Sequence, residues 1–198
     1  FSQVTIERFA ELASCPVINA LSDDRHPCQA LTDLLTIRET FGELAGRRLV
    51  FVGDGNNVAR SLAIACGRAG LSMTLSAPVG YEFDDDFLGL LSREVPGGDL
   101  VVETDPMVAV AEADVVYTDV WASMGQESEK SKRAEAFAGY QVDARLMAAA
   151  PETCRFMHDL PARRGLEVTD EVIDGPRSVV FAQAENGMHL AKGLLLWL

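Results

Sequence analysis

The chain has 198 residues, 48% of them hydrophobic and 24% charged, and its 30 acidic against 17 basic residues leave a formal charge of −13. That length fits one large domain, or one domain plus part of another, with material for a sizeable core. The acidic balance argues against nucleic acid or an anionic membrane as a partner, and no apolar run approaches the roughly 18 residues that would span a bilayer.

In chain order, Phe1-Ser-Gln-Val-Thr-Ile6 lacks both an initiator Met and the basic-then-apolar pattern of a signal peptide, so a fragment or processed product is expected. Ile6 to Ser14 reads as a short amphipathic helix, and His26 to Phe41 as a longer one. From Arg48 onward strand and helix alternate with short turns, as a doubly wound parallel sheet requires. The predicted strands are Leu49 to Val52, Ser72 to Ser76, Leu100 to Glu103, Val115 to Thr118 and Arg155 to Met157. Helices are predicted over Val58 to Ala69, Asp85 to Arg93, Met107 to Glu112 and Asp143 to Ala149. Pro78, Pro96-Gly97-Gly98 and Pro151 stand where elements should stop. Phe181 to Leu198 reads as a final helix, apolar enough at its end to need a docking surface, for which an N-terminal region is the expected partner. The expected fold class is α/β, a doubly wound Rossmann-like parallel sheet with flanking helices.

Cys15, Cys28, Cys66 and Cys154 form no C-x-x-C pair, and His26, His158 and His189 are far apart. Neither a disulfide framework nor a zinc module is indicated, Cys66 reads as a core residue, and a reducing cytosol is the expected compartment.

Three polar clusters follow predicted strands, at the sheet edge where α/β folds bind ligands. Gly53-Asp54-Gly55-Asn56-Asn57 opens a helix in the position of a phosphate-binding turn. Val58 replaces the third glycine of the dinucleotide fingerprint, and Leu75-Ser76-Ala77-Pro78 offers no acid for a ribose, so nicotinamide binding is not expected. The two asparagines present carboxamides to the cleft, or one of them serves only to adopt a left-handed backbone. Asp119-Val-Trp-Ala-Ser123-Met124-Gly125 follows the most strand-like run of the chain. Asp119 there either faces a ligand, with Ser123 and nearby backbone amides suiting an amino acid, or caps the next helix. His158-Asp159-Leu160-Pro161 is the third cluster. A fourth candidate, His26-Pro27-Cys28-Gln29, starts a helix, where a neutral imidazole polarising a carbonyl competes with simple capping.

Taken together, His26-Pro-Cys-Gln29 with Leu31-Thr-Asp-Leu-Leu-Thr36, Gly53-Asp-Gly-Asn-Asn57, Asp119-Val-Trp-Ala-Ser-Met-Gly125 and Glu167-Val-Thr-Asp-Glu-Val172 resemble the ornithine carbamoyltransferases over nearly the whole chain. The resemblance implies a truncated carbamoyl-phosphate domain at residues 1–25, a linking helix at 26–41, an ornithine-binding domain at 42–177 and a terminal helix at 178–198 that packs back on the N-terminal domain. It implies a cytoplasmic homotrimer, or a multiple of one, that needs no cofactor and no metal. Asn57, Asp119, Ser123 and the Met124 backbone would hold the α-amino and α-carboxylate groups of ornithine. His26 and Gln29 would contact the carbamoyl group of carbamoyl phosphate, and His158, Asp159 and Leu160 would line the reacting centre. The reaction implied is attack of the δ-amine on the carbamoyl carbon, giving citrulline and phosphate in arginine biosynthesis.

Three departures from the family pattern stand out. The Ser-Thr-Arg-Thr phosphate-binding segment and a further arginine are absent from this chain; Asp159 stands where the family has cysteine; and Gly187, after Ala184-Glu185-Asn186, stands where it has arginine. A carboxylate about 5 Å from another anion costs roughly 3 kcal/mol at an effective dielectric near 20. Asp159 is therefore protonated, turned away, or matched to a different substrate. A carbamoyltransferase for another amine and a non-catalytic amino-acid-binding relative are the competing readings.

Overall fold

The computed structural model describes residues 2–122 and 129–198. Chain order gives α1 (Gln3–Leu12), α2 (Pro27–Phe41), β1 (Arg48–Val52), α3 (Asn57–Ala69), β2 (Ser72–Ser76), α4 (Asp85–Glu94) and β3 (Leu100–Val102). There follow α5 (Pro106–Ala109), a single 3-10 turn, β4 (Val115–Thr118), α6 (Lys130–Ala136), α7 (Ala144–Ala149), β5 (Arg155–His158), α8 (Asp170–Ile173) and α9 (Val180–Trp197). The strands form one parallel sheet in the order β3-β2-β1-β4-β5. Chain order reverses direction across the sheet between β1 and β4, which opens a crevice at the carboxyl ends of those two strands.

β-branched and aromatic residues fill the central strands because both faces of the sheet are covered by helices. Alternate side chains go to opposite layers: Leu49, Phe51 and Tyr117 to one, Val50, Val52 and Val116 to the other. Phe51 and Tyr117 are register partners on β1 and β4, and their rings stack with centroids 5.4 Å apart. Cys66 packs in the first layer, and burial pushes its thiol up to about 12. Helix starts are set by side chains that accept the first free amides: Asn56 for α3, Asp84 for α4, Asp105 for α5 and Asp143 for α7.

The α/β architecture and its five strands match the sequence expectation, while some helix bounds differ. The first helix starts at Gln3 and ends at Leu12, with Ser2 and Ala13 both extended. The stretch expected as one helix over Met107 to Glu112 divides into α5 and a 3-10 turn, because the short connection to β4 leaves no room for a longer helix. Both α6 and α8 went unpredicted, being short segments with no apolar periodicity. The final helix docks on α2, while Leu195, Leu196 and Trp197 at its end stay exposed. No helix among the described residues is long and apolar enough to cross a membrane.

Candidate functional site

A cleft of about 1280 Å³ opens at the carboxyl edge of the sheet, lined by residues that include His26, Asn56, Asn57, Asp119, Asp159 and Leu160. The loops after β1, β4 and β5 and the turn before α2 all reach it, so the three strand-end clusters and His26 do share one cavity.

The β1 loop is built by its glycines. Gly53 has φ +154°, where a side chain is strained, and a Cβ on Gly55 would lie 2.9 Å from the Glu82 carbonyl carbon. The tight turn that results places Asn56 at the start of α3. Its Oδ1 accepts the amides of Val58 and Ala59, each at 3.0 Å, and its Nδ2 donates to Asp119 Oδ2 at 2.7 Å across the crevice. Two of the first amides of α3 are thus already taken, which leaves less of that helix start free for an anion. Neither asparagine has a left-handed backbone, contrary to the alternative entertained from sequence. Asn57 lines the cleft while its Nδ2 donates to the Ser22 carbonyl at 2.8 Å.

Asp119 is buried, and its Oδ1 accepts the Val120 amide at 2.6 Å. Burial first, and then the charge of Asp159, raise its proton affinity well above the ordinary carboxylate range. Asp159 lines the cleft and has not turned away; its side chain is 10% exposed and its Oδ1 lacks a hydrogen-bond partner. His158 is fully buried behind it, with Nδ1 3.2 Å from Asp159 Oδ1 and Nε2 3.3 Å from Glu167 Oε1. Burial depresses the affinity of His158 for a second proton, but Asp159 and Glu167 lift it to about 9. Against that stands the Leu160 amide, which donates to Nδ1 at 2.9 Å and fixes the neutral ring with its proton on Nε2. Protonating Nδ1 requires that amide to let go. Leu160 itself has φ 59°, rare for a residue with a Cβ.

His26 is the last residue before α2, with Pro27 in the first turn. Its amide donates to Ser61 Oγ at 2.7 Å, and Ser61 Oγ donates to the Asn57 carbonyl at 2.9 Å, so α3 fixes its place. Burial lowers its proton affinity and keeps the imidazole neutral, as expected; its Nδ1 is buried without a partner. Gln29 is not brought to the cleft wall. Its carboxamide turns inward to Asp33 Oδ1 at 2.8 Å. Ser123 and Met124 lie outside the described residues.

Sequence reasoning missed the brace that holds the β4 loop. Arg133 on α6 pairs with Asp54 at 2.5 Å, donates to the Trp121 carbonyl at 3.0 Å and lies over the Tyr81 ring. Its partner is 79 positions away, and no local pattern signals such a pair. At Gly187 a Cβ would meet only Thr32, at 3.9 Å or beyond. Arg164 is committed to Asp170 and Asp174, whereas Arg163 lines the cleft.

Asp119, His158 and Asp159 each offer one ligand-capable atom within 4.8 Å of the others, the spacing a metal ion would need. With His158 Nδ1 facing the Leu160 amide and Nε2 facing Glu167, two carboxylates are left to face the cleft. An acid pair of that kind suits an ammonium group.

The chain matches the family description "aspartate/ornithine carbamoyltransferase, Asp/Orn binding domain" over residues 45–198, and "carbamoyl-P binding domain" of the same family over residues 1–39. It is 50% identical over 200 residues to an ornithine carbamoyltransferase of Acidothermus cellulolyticus, covering 100% of this chain and 64% of that protein. One from Methanoculleus marisnigri is 46% identical over 196 residues, covering 99% and 63%. The solved ornithine carbamoyltransferase of Pyrococcus furiosus superposes with a TM-score of 0.93 at 48% identity, covering 98% of this chain and 63% of that one. The chain thus spans slightly less than two thirds of the length of these relatives. With matched spans running through the sheet, the cleft and the helices before it, the chain belongs to the aspartate/ornithine carbamoyltransferase family.

Proposed function

We propose that this chain is the larger part of an ornithine carbamoyltransferase, which moves the carbamoyl group of carbamoyl phosphate to the δ-amine of ornithine and yields citrulline and phosphate. The observation that carries the reading is the acid pair Asp119 and Asp159 on the cleft, with neutral His26 lining the same cavity. Relatives at 46–50% identity named ornithine carbamoyltransferase support the choice of amine. Residues 1–25 are the end of a carbamoyl-phosphate domain, 26–41 its link, 42–177 the ornithine domain and 178–198 the returning helix. The two matched spans, 1–39 and 45–198, support a boundary between the carbamoyl-phosphate and ornithine parts near residue 40.

In this reading Asn57, Asp119, Ser123 and the Met124 backbone hold the α-amino and α-carboxylate groups of ornithine. Asp159, backed by His158 and Leu160, faces the δ-amine. His26 contacts the carbamoyl group, and Gln29, held inward by Asp33, supports the start of α2 behind it. The uncharged amine attacks the carbamoyl carbon, the bond to the phosphate oxygen breaks, and the amine gives up a proton. The donor is already activated, so orientation and charge stabilisation are enough, with no metal or cofactor. The enzyme works as a cytoplasmic homotrimer, or a multiple of one, in arginine biosynthesis.

The test is calorimetric titration of the chain with ornithine, paired with a citrulline assay on the chain joined to a relative's carbamoyl-phosphate domain. Binding and ornithine-dependent citrulline are expected. A folded protein with neither, or one that carbamoylates putrescine in preference, overturns the reading. A non-catalytic amino-acid binder is the second reading, favoured by Asp159 and by the open space at Gly187. It predicts binding without turnover, restored by Asp159→Cys with Gly187→Arg.

A further inference from the structure

Asp33 sits on α2 one turn beyond Gln29, is 0% exposed, and does not line the cleft. Its Oδ1 accepts two carboxamides, Gln29 Nε2 at 2.8 Å and Gln183 Nε2 at 2.7 Å, while Oδ2 has no hydrogen-bond partner. Gln183, itself buried on α9, uses its Oε1 to accept the His158 amide at 3.0 Å. The Tyr117 hydroxyl of β4 stands beside the same group, 3.2 Å from Gln183 Nε2. One carboxyl therefore ties together α2, β4, β5 and α9, and every one of these elements carries or adjoins a residue of the site.

The groups that face Asp33 supply no cation. Gln29 belongs to its own helix, Tyr117 comes from β4 and Gln183 from α9; Cys66 approaches from α3, and Asp159 from the loop after β5. A full negative charge held by two neutral amides, in the field of another acid and sealed from water, is costly. Removing the charge by a proton on the unpartnered oxygen keeps both carboxamide bonds.

We propose that Asp33 is the positioning residue of the site, a neutral acid that fixes Gln29 directly and the His158 strand end through Gln183. Consistent with this, burial pushes its carboxyl up to about 8. The proposal relies on the functional reading only for the identity of the ligand.

The test compares Asp33→Asn, which mimics the neutral acid, with Asp33→Leu, which abolishes both hydrogen bonds. A carboxyl that keeps its proton in the fold up to about pH 8, but loses it near 3.8 when unfolded, makes stability fall as pH rises between those values. Thermal melting should show that slope in the parent chain and a clearly shallower one in Asp33→Asn, the remainder belonging to Asp119 and His158, and no substrate is needed to see it. Calorimetry should find ornithine affinity within about threefold of the parent for Asp33→Asn and weakened at least about tenfold for Asp33→Leu. An infrared band of protonated carboxylic acid, stronger in the parent than in Asp33→Asn by the share of one carboxyl, is the spectroscopic counterpart. An unchanged pH slope in Asp33→Asn, or equal losses of affinity in the two variants, overturns the proposal. If the parent binds no ornithine while the slope and the infrared band behave as expected, the functional reading fails and the neutral acid stands.

Discussion

Two buried acid centres less than one domain apart solve the same problem in different ways. Asp33 is sealed from water, has neutral donors on one oxygen, and is relieved by keeping its own proton on the other. Asp119 and Asp159 share a wall of the cleft, where Asn56 and Val120 satisfy only the first of them and Asp159 keeps an unpaired oxygen. Between these extremes lies Asp54, to which the fold assigns a guanidinium of its own, Arg133. The difference teaches where a ligand belongs: an acid whose compensation is built in is structural, and one whose compensation is left open awaits a cation from outside.

The largest expected break in this pattern is Arg133→Met, which strands Asp54 in a mostly buried setting. Loss of about 3 kcal/mol in chemical denaturation is expected, toward the low end for breaking such a pair because the carboxylate keeps some access to water. Next is Asp119→Asn, which preserves shape and one of the two accepted hydrogen bonds, from Asn56 or from the Val120 amide, but removes the charge. Ornithine affinity should fall about tenfold to hundredfold, roughly 1.5–3 kcal/mol by calorimetry, with little change in melting temperature. Asn56→Ala should cost about 1 kcal/mol of stability through the lost helix cap, and should also weaken ornithine binding, since Asp119 loses its tether.

The subtlest effect is in pH slopes and separates the two centres most directly. Where the Leu160 amide releases Nδ1, the affinity of His158 for a proton is raised from 6.5 to about 9, so the stability that this protonation contributes is full below about 6.5 and lost as pH rises through about 9. Asp159→Asn should flatten that upper window and leave a lower one that burial of Asp33 and Asp119 still sustains. Melting curves collected across both windows would show whether the centres titrate separately.

The same contrast explains what was legible in the sequence. Strands show through because both-face burial selects β-branched and aromatic residues locally, and Asp119 was visible because it follows the clearest of them. The choice between Asn56 and Asn57 was not: one residue of register decides which side chain caps α3, and the backbone of the turn sets that register. Gln29 looked like a ligand contact from its place at a helix start, but Asp33, four residues later on the same face, claims its carboxamide. Arg133 and Glu167 act through partners brought close by the fold. The rest of the site depends on Ser123 and Met124, which lie outside the described residues.

The bond between Asp33 and Gln183 joins positions 150 residues apart, and Gln183 also holds the end of β5. Every strand precedes α9 in the chain, so during synthesis the sheet is complete before the helix that secures both α2 and the His158 strand has emerged. Until then Asp33 and the His158 amide lack their common partner, and local opening there is cheap. The cleft therefore matures late, and a translation product cut short before Val180 would be marked for quality control by the loose pairing of its first long helix rather than by a broken sheet.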